Sequence, residues 1–139
     1  MIYTIDFDET ASCIKIFILV EYYNQILKGL KSRDDLIKYN KESDYVENGS
    51  GLIQYLDNLT ITSKNMAILM MIVSDNIATN KIIDYLGFNN INNTIEQLGF
   101  KNTKLEYDYL YKMYDEPSQI SKQKIFLRDK RNLVKKPKK

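Results

Sequence analysis

The chain has 139 residues, enough for one domain with its own core, and its 44% hydrophobic and 27% charged content reads as a soluble globular protein. It contains no histidine and a single cysteine, Cys13, which excludes Ser-His-Asp and Cys-His catalysis, imidazole metal sites, an intrachain disulfide and a cysteine-based zinc site. A net charge of +2 is too small to point to a nucleic-acid partner, and any general base must be Lys, Asp, Glu or Tyr.

No leader pattern opens the chain. Asp6, Asp8 and Glu9 stand where a basic and then apolar stretch would be needed, so the default expectation is a cytoplasmic protein. Thr10 or Ser12 can start a first helix, and Gly29 can stop it. Ile14, Phe17, Ile18, Tyr22 and Ile26 form one apolar face, while Ile16, Leu19, Val20, Tyr23 and Leu27 cover much of the rest. A helix apolar nearly all round is expected at the centre of a core. Its run Ile14–Val20 is interrupted by Lys15 and too short to cross a bilayer.

The spacing then predicts a short turn of helix over Ser32–Tyr39 and a loop over Asn48–Gly51. Thr62 caps a second strong helix that carries Met66, Ile68, Leu69, Met71, Ile72 and Val73 and ends near Ser74. A third helix is expected over about Ala78–Leu86, stopped by Gly87, and a fourth over about Ile91–Leu98, stopped by Gly99. Pro117–Asn132 reads as a weakly amphipathic helix. Residues 1–116 are expected to form the helical domain, and residues 117–139 a basic tail, helical and then disordered. No strand is predicted.

Two short strings carry chemistry. Ser12-Cys13-Ile14-Lys15 places a hydroxyl and an amine one helical turn apart on one face. A serine hydroxyl needs a base to become a nucleophile, and a desolvated lysine can be that base. The helix dipole at Ser12 also favours a developing alkoxide. The bland alternative is that Ser12 caps a helix while Lys15 reaches solvent. Ser121-Lys122-Gln123-Lys124 has the same spacing in the charged tail, where catalysis is implausible. Ser74-Asp75-Asn76 adds a second hydroxyl and a carboxamide between two apolar helices, although these residue types are also ordinary helix caps.

Together the strings resemble the first two motifs of class A β-lactamases and related β-lactamase-like serine hydrolases. The resemblance runs from about Asp6 to Leu105. It includes Gly49-Ser50-Gly51-Leu52, Leu59-Thr60, the extended stretch Met71–Asn80, Leu86-Gly87 and Leu98–Leu105. The two motif serines lie 62 positions apart, as in that family. What the resemblance implies is a mainly α chain: the helical domain of the serine β-lactamase/DD-peptidase-like fold with most or all of the β-sheet missing. Ser12 would be the acylated nucleophile and Lys15 its base or proton relay. Ser74 would pass a proton to the departing nitrogen, and Asn76 would hydrogen-bond a substrate amide and orient Lys15. The Ser12 backbone N–H would be one oxyanion donor. The implied substrate is a β-lactam or peptidoglycan-like molecule, with no metal and no cofactor.

The departures are equally specific. Gly99 is the last glycine, so no Lys-Thr-Gly or Lys-Ser-Gly follows it. In the family that motif binds the substrate carboxylate, and its strand supplies the second oxyanion N–H. The deacylating glutamate has no clear counterpart: Glu106 looks shifted from the expected place, and Glu116-Pro117 comes late. The expectation is therefore a truncated family member with weak or no activity in isolation. The alternative is a non-catalytic helical protein, or a degenerate fragment that keeps site residues without a working site, that binds a partner through the apolar face the sheet would cover, by self-association or with a complementary fragment.

Overall fold

The computed structural model describes residues 7–46 and 50–105, with side chains from Cys13 onward. Helix α1 spans Phe7–Leu27, followed by strand β1 (Leu36–Tyr39), a single turn α2 (Lys41–Asp44) and a 3₁₀ turn (Ile53–Tyr55). Strand β2 (Leu59–Thr62) leads directly into α3 (Ser63–Ile72), then α4 (Asn76–Leu86) and α5 (Phe88–Gln97). The chain is thus mainly helical, with one two-stranded antiparallel sheet among the described residues. No helix among them is long and apolar enough to cross a membrane.

Helix α1 is the element on which α3, α4 and α5 converge. Ile14, Phe17, Ile18 and Tyr22 are buried along it, and burying each such side chain contributes about 1.5–3 kcal/mol. Phe17 meets Phe100 edge to face at 5.1 Å between ring centroids. One turn on, the Glu21 carboxylate accepts from Thr94 Oγ1 of α5 and from Gln25 Nε2, and Gln25 also donates to the Leu86 carbonyl. The helix ends at Leu27, and two residues on the chain turns away at Gly29, whose φ of 75° lies in the left-handed region that glycine adopts without strain. Leu30 N then returns to the Gln25 carbonyl at 2.9 Å.

The segment Ser32–Tyr39 corrects the expected turn of helix. Its second half is strand β1, paired in register Leu36↔Thr62 through Tyr39↔Leu59. Ile37 and Tyr39 point into the core while Leu36 and Lys38 face out, the period of two that defines a half-buried strand. Thr60-Ile61-Thr62 supplies the β-branched partner. Thr62 then caps α3, its Oγ1 accepting from Asn65 N at 3.1 Å, as the sequence predicts. Helix α4 begins two residues earlier than expected and α5 three earlier. The tail, including Pro117–Asn132 and the boundary at residue 116, lies outside the described residues.

A polar network fixes the hairpin onto the helices. Ser63 Oγ donates to the Ser32 carbonyl at 2.8 Å and pairs with Tyr22 Oη at 2.9 Å, so the α3 start is tied to α1. Tyr85 of α4 donates to Asp35 Oδ2 at 2.6 Å, and Lys31 Nζ sits 4.9 Å above its ring. Burial, reinforced by the Asp35 carboxylate, pushes the Tyr85 hydroxyl up to about 12. The same hydrogen bond holds Asp35 below the usual carboxylate range.

A raised folded-state pKa means the neutral phenol is the stabilised form, so its contribution is intact below about pH 10 and is lost as pH rises through about 12. The unfolding midpoint is expected to fall across that window, and less steeply in Tyr85→Phe, as thermal melts from pH 8 to 12 would show. In the core, Met70 is fully buried, and Met70→Ala is expected to cost about 2–5 kcal/mol in urea unfolding.

Candidate active site

The turn between α3 and α4 is where the two sequence motifs meet. Lys15 projects from α1 with 3% of its surface exposed. Its Nζ donates to the Ser74 carbonyl at 3.0 Å and to Asn76 Oδ1 at 2.9 Å. Lys15 therefore does not reach solvent, which disposes of the bland reading of that residue. Asn76 is itself buried and opens α4. Ser12 lies on α1 one turn before Lys15, on the same helical face; its side chain is outside the described residues.

Ser74 is the only non-glycine described residue with a left-handed φ, at 51°. Such a conformation costs on the order of 1–2 kcal/mol for a residue with a Cβ. The chain must reverse between α3, which ends at Ile72, and α4, which starts at Asn76. The turn through Ser74 leaves its carbonyl toward Lys15, and its side chain is half-buried.

Asp75 holds this turn. It is completely buried, and its Oδ1 caps α4 by accepting from Ala78 N at 2.9 Å. Its Oδ2 accepts from the backbone N–H groups of Leu52 at 2.8 Å and Ile53 at 2.9 Å. The Asp75 carbonyl takes both the N–H and the hydroxyl of Thr79. Asn76 N adds a bond to the Ser50 carbonyl at 3.0 Å. The 50–53 loop is therefore stitched to the serine turn from both sides. Gly51 makes the stitch possible: its φ is 114°, and a Cβ there would overlap the Asp75 carboxylate.

The structure thus brings Lys15, Ser74 and Asn76 together, and Ser12 stands on the adjoining turn of α1. The sequence reading leaves Asp75 and Gly51 without a role. Their signal is present in the Ser-Asp-Asn cap pattern and in the Gly49-Ser50-Gly51-Leu52 match, but a cap read from sequence shows only one of the two things this aspartate holds. Capping and site geometry turn out to be the same feature. Among the described residues no group of His, Cys, Asp or Glu side chains is arranged to hold a metal ion.

The beta-lactamase enzyme family model matches residues 7–135, and the chain belongs to that family. Among solved structures, a beta-lactamase from Sphaerobacter thermophilus DSM 20745 is 30% identical, with a TM-score of 0.64, over 69% of this chain and 36% of that one. The acyl-enzyme complex of a PBP-A mutant with penicillin G is 31% identical, with a TM-score of 0.63, over 70% of this chain and 37% of its own. A class A beta-lactamase representative from Bacteroides cellulosilyticus DSM 14838 shares the fold, with a TM-score of 0.60 at 21% identity over 70% and 36% of the two chains. The aligned part of this chain spans just over a third of these neighbours. No curated protein matches.

Because Asp75 faces N–H donors on both oxygens, an amide cannot replace it. In either orientation the amino group of an introduced carboxamide would oppose a backbone N–H. Asp75→Asn is expected to lower stability by about 1–3 kcal/mol in urea unfolding. Gly51→Ala should be of similar size, and the double variant should lose less than the sum, since both break the same contact.

Proposed function

We propose that the chain supplies the acylation machinery of a β-lactamase-like serine hydrolase, with Ser12 as nucleophile and Lys15 as its base or proton relay. The observation that carries this reading is the position of Lys15: buried, one turn from Ser12, and fixed by Asn76 Oδ1 and the Ser74 carbonyl. A lysine so held stays one helical turn from Ser12, the spacing this reading needs between base and nucleophile. In this reading Ser74, on the same turn, hands a proton to the departing nitrogen. Asn76 has an amide N–H₂ beyond the Oδ1 that Lys15 occupies, and hydrogen-bonds a substrate amide in this reading. The substrate class is a β-lactam or a peptidoglycan-like peptide, in keeping with the penicillin G bound to the PBP-A neighbour.

Attack and release differ in what they require. Attack needs nucleophile, base and oxyanion donors, of which the Ser12 N–H is one. No Lys-Thr-Gly lies in this sequence to bring the carboxylate clamp and the second oxyanion N–H. Loss of one such donor alone costs roughly 10²–10³ in rate. The isolated chain is therefore proposed to acylate slowly at best and to turn over negligibly.

A second reading is favoured by one observation: Tyr23, Ile68 and Ile72 leave an apolar face open beside α1 and α3. A helical protein that uses this face for self-association, or to receive a complementary fragment, would need no catalytic serine.

Incubation with a labelled penicillin and a chromogenic cephalosporin, followed by intact mass, separates the two. The expected result is no steady turnover and a slow adduct that Ser12→Ala abolishes and that Lys15→Met slows by about 10² or more. Steady turnover dependent on Ser12 would overturn the weak-activity reading. An unmodified protein at long incubation would overturn acylation and leave the binding reading.

A further inference from the structure

Helices α1 and α3 flank an apolar groove of about 220 Å³ that no described residue of α4 or α5 lines. Its walls are two ridges of residues one turn apart, Leu19 and Tyr23 on α1 and Ile68 and Ile72 on α3. Three of the four are strongly exposed for such residues: Tyr23 49%, Ile68 45% and Ile72 77%. The apolar stripe continues along α1 in both directions, to exposed Ile16 and Leu27, on the side of the helix that carries Tyr23. A face like this is covered in a stable soluble domain, or it drives association.

One end of the groove is cationic. Arg33 and Lys64 line it, and both are exposed. The Arg33 carbonyl accepts from Lys64 N at 3.1 Å, so the two side chains start from adjoining backbone. Arg33 follows the end of α1 and Lys64 stands in the first turn of α3, which puts both cations where α1 stops and α3 starts. Neither forms an ion pair among the described residues, and no described acidic residue lines the groove. We propose that this groove docks an amphipathic helix of another protein, apolar along one face and acidic at the end that meets Arg33 and Lys64. The assignment rests on the second reading, in which this face binds a partner, and owes nothing to acylation at Ser12.

Shape and charge select this occupant together. Two side-chain ridges with a furrow between them fit the ridge of a third helix. The exposed stripe from Ile16 to Leu27 is about 16 Å long, roughly three turns of a docked helix. The groove is smaller than the roughly 300–1,000 Å³ of small-molecule sites, so it suits inserted side chains better than an enclosed ligand. A second copy docking by the same face would set Arg33 and Lys64 against themselves, with no carboxylate to meet them. Apolar groups that enter a bilayer stand out from the protein, whereas this surface is concave. An acidic amphipathic helix fills the furrow and pairs both cations.

Titration of the methyl-labelled full-length chain with two synthetic peptides tests this. Each is an amphipathic helix of about 18 residues with a leucine face, roughly five turns; one carries glutamates at one end and the other lysines at the same positions. The glutamate peptide is expected to shift the Ile68 and Ile72 methyl resonances and to bind about tenfold more tightly than the lysine peptide. Ile72 is exposed, so Ile72→Glu should leave the fold intact and weaken binding by about tenfold or more. Arg33→Glu combined with Lys64→Glu, both on the surface, should reverse the preference between the peptides. Equal binding of the two peptides, or a preference that charge reversal leaves unchanged, would overturn the inference. Absence of peptide binding would overturn it as well, and light scattering at rising concentration and sedimentation with anionic vesicles then say why. Self-association or vesicle capture would keep the face as a binding surface with a different occupant. A monomer that binds neither peptide nor vesicle would remove the second reading too.

Discussion

A fully buried carboxylate organises this molecule. Asp75 has no counter-ion among the described residues, and a bare charge in the interior would be prohibitively costly. It is made tolerable by three backbone N–H groups and by its place at the positive end of α4. Those donors come from two separate parts of the chain: one is the first turn of a helix, and two belong to a loop more than twenty residues upstream. Satisfying the charge therefore requires that loop, turn and helix be correctly placed at once. Any slippage leaves either a carboxylate or an N–H unpaired, so the arrangement is close to all or none.

The position of Lys15 follows from that constraint. Its two identified acceptors, the Ser74 carbonyl and Asn76 Oδ1, belong to the residues on either side of Asp75. The lysine is delivered by α1, where it interrupts the otherwise apolar run Ile14–Val20. Helix α1 packs by its buried face against α3, α4 and α5 and so has no freedom to withdraw the side chain. The fold puts two acceptors for this buried cation at the serine turn. Core packing and site assembly are in this sense one event.

How much of this is legible in the sequence depends on the range of the interaction. The long helices are legible because periodicity and caps are local: Thr62 before α3 and Gly29 after α1 act where the sequence says they do. The helix starts at Asn76 and Phe88 come earlier than apolar content suggests, because the cap sets the start and the apolar residues begin later in each segment. Strand β1 escapes a local reading because four residues of Leu-Ile-Lys-Tyr fit a turn of helix as well as a strand; only pairing with Thr60-Ile61-Thr62 decides, and pairing is non-local. Lys15, Ser74 and Asn76 are found by their resemblance to a known pattern. Asp75 and Gly51 are not, because their contact joins residues 24 positions apart and one partner has no side chain to advertise it.

The left-handed φ of Ser74 shows which demand is dominant. A turn between two helices has many unstrained solutions, and glycine would relieve the strain at this one. The chain keeps a serine there with φ at 51°. Stability alone gives no reason for that choice, since nothing in the turn's backbone bonds depends on the hydroxyl. The strain of about 1–2 kcal/mol is outweighed locally by the bonds at Asp75, which fix the peptide on either side of it. What the serine adds is a half-buried hydroxyl on the same turn as the lysine clamp. A strained residue that carries a hydroxyl, held in place by an interaction that does not involve that group, is the arrangement the acylating reading proposes for this turn.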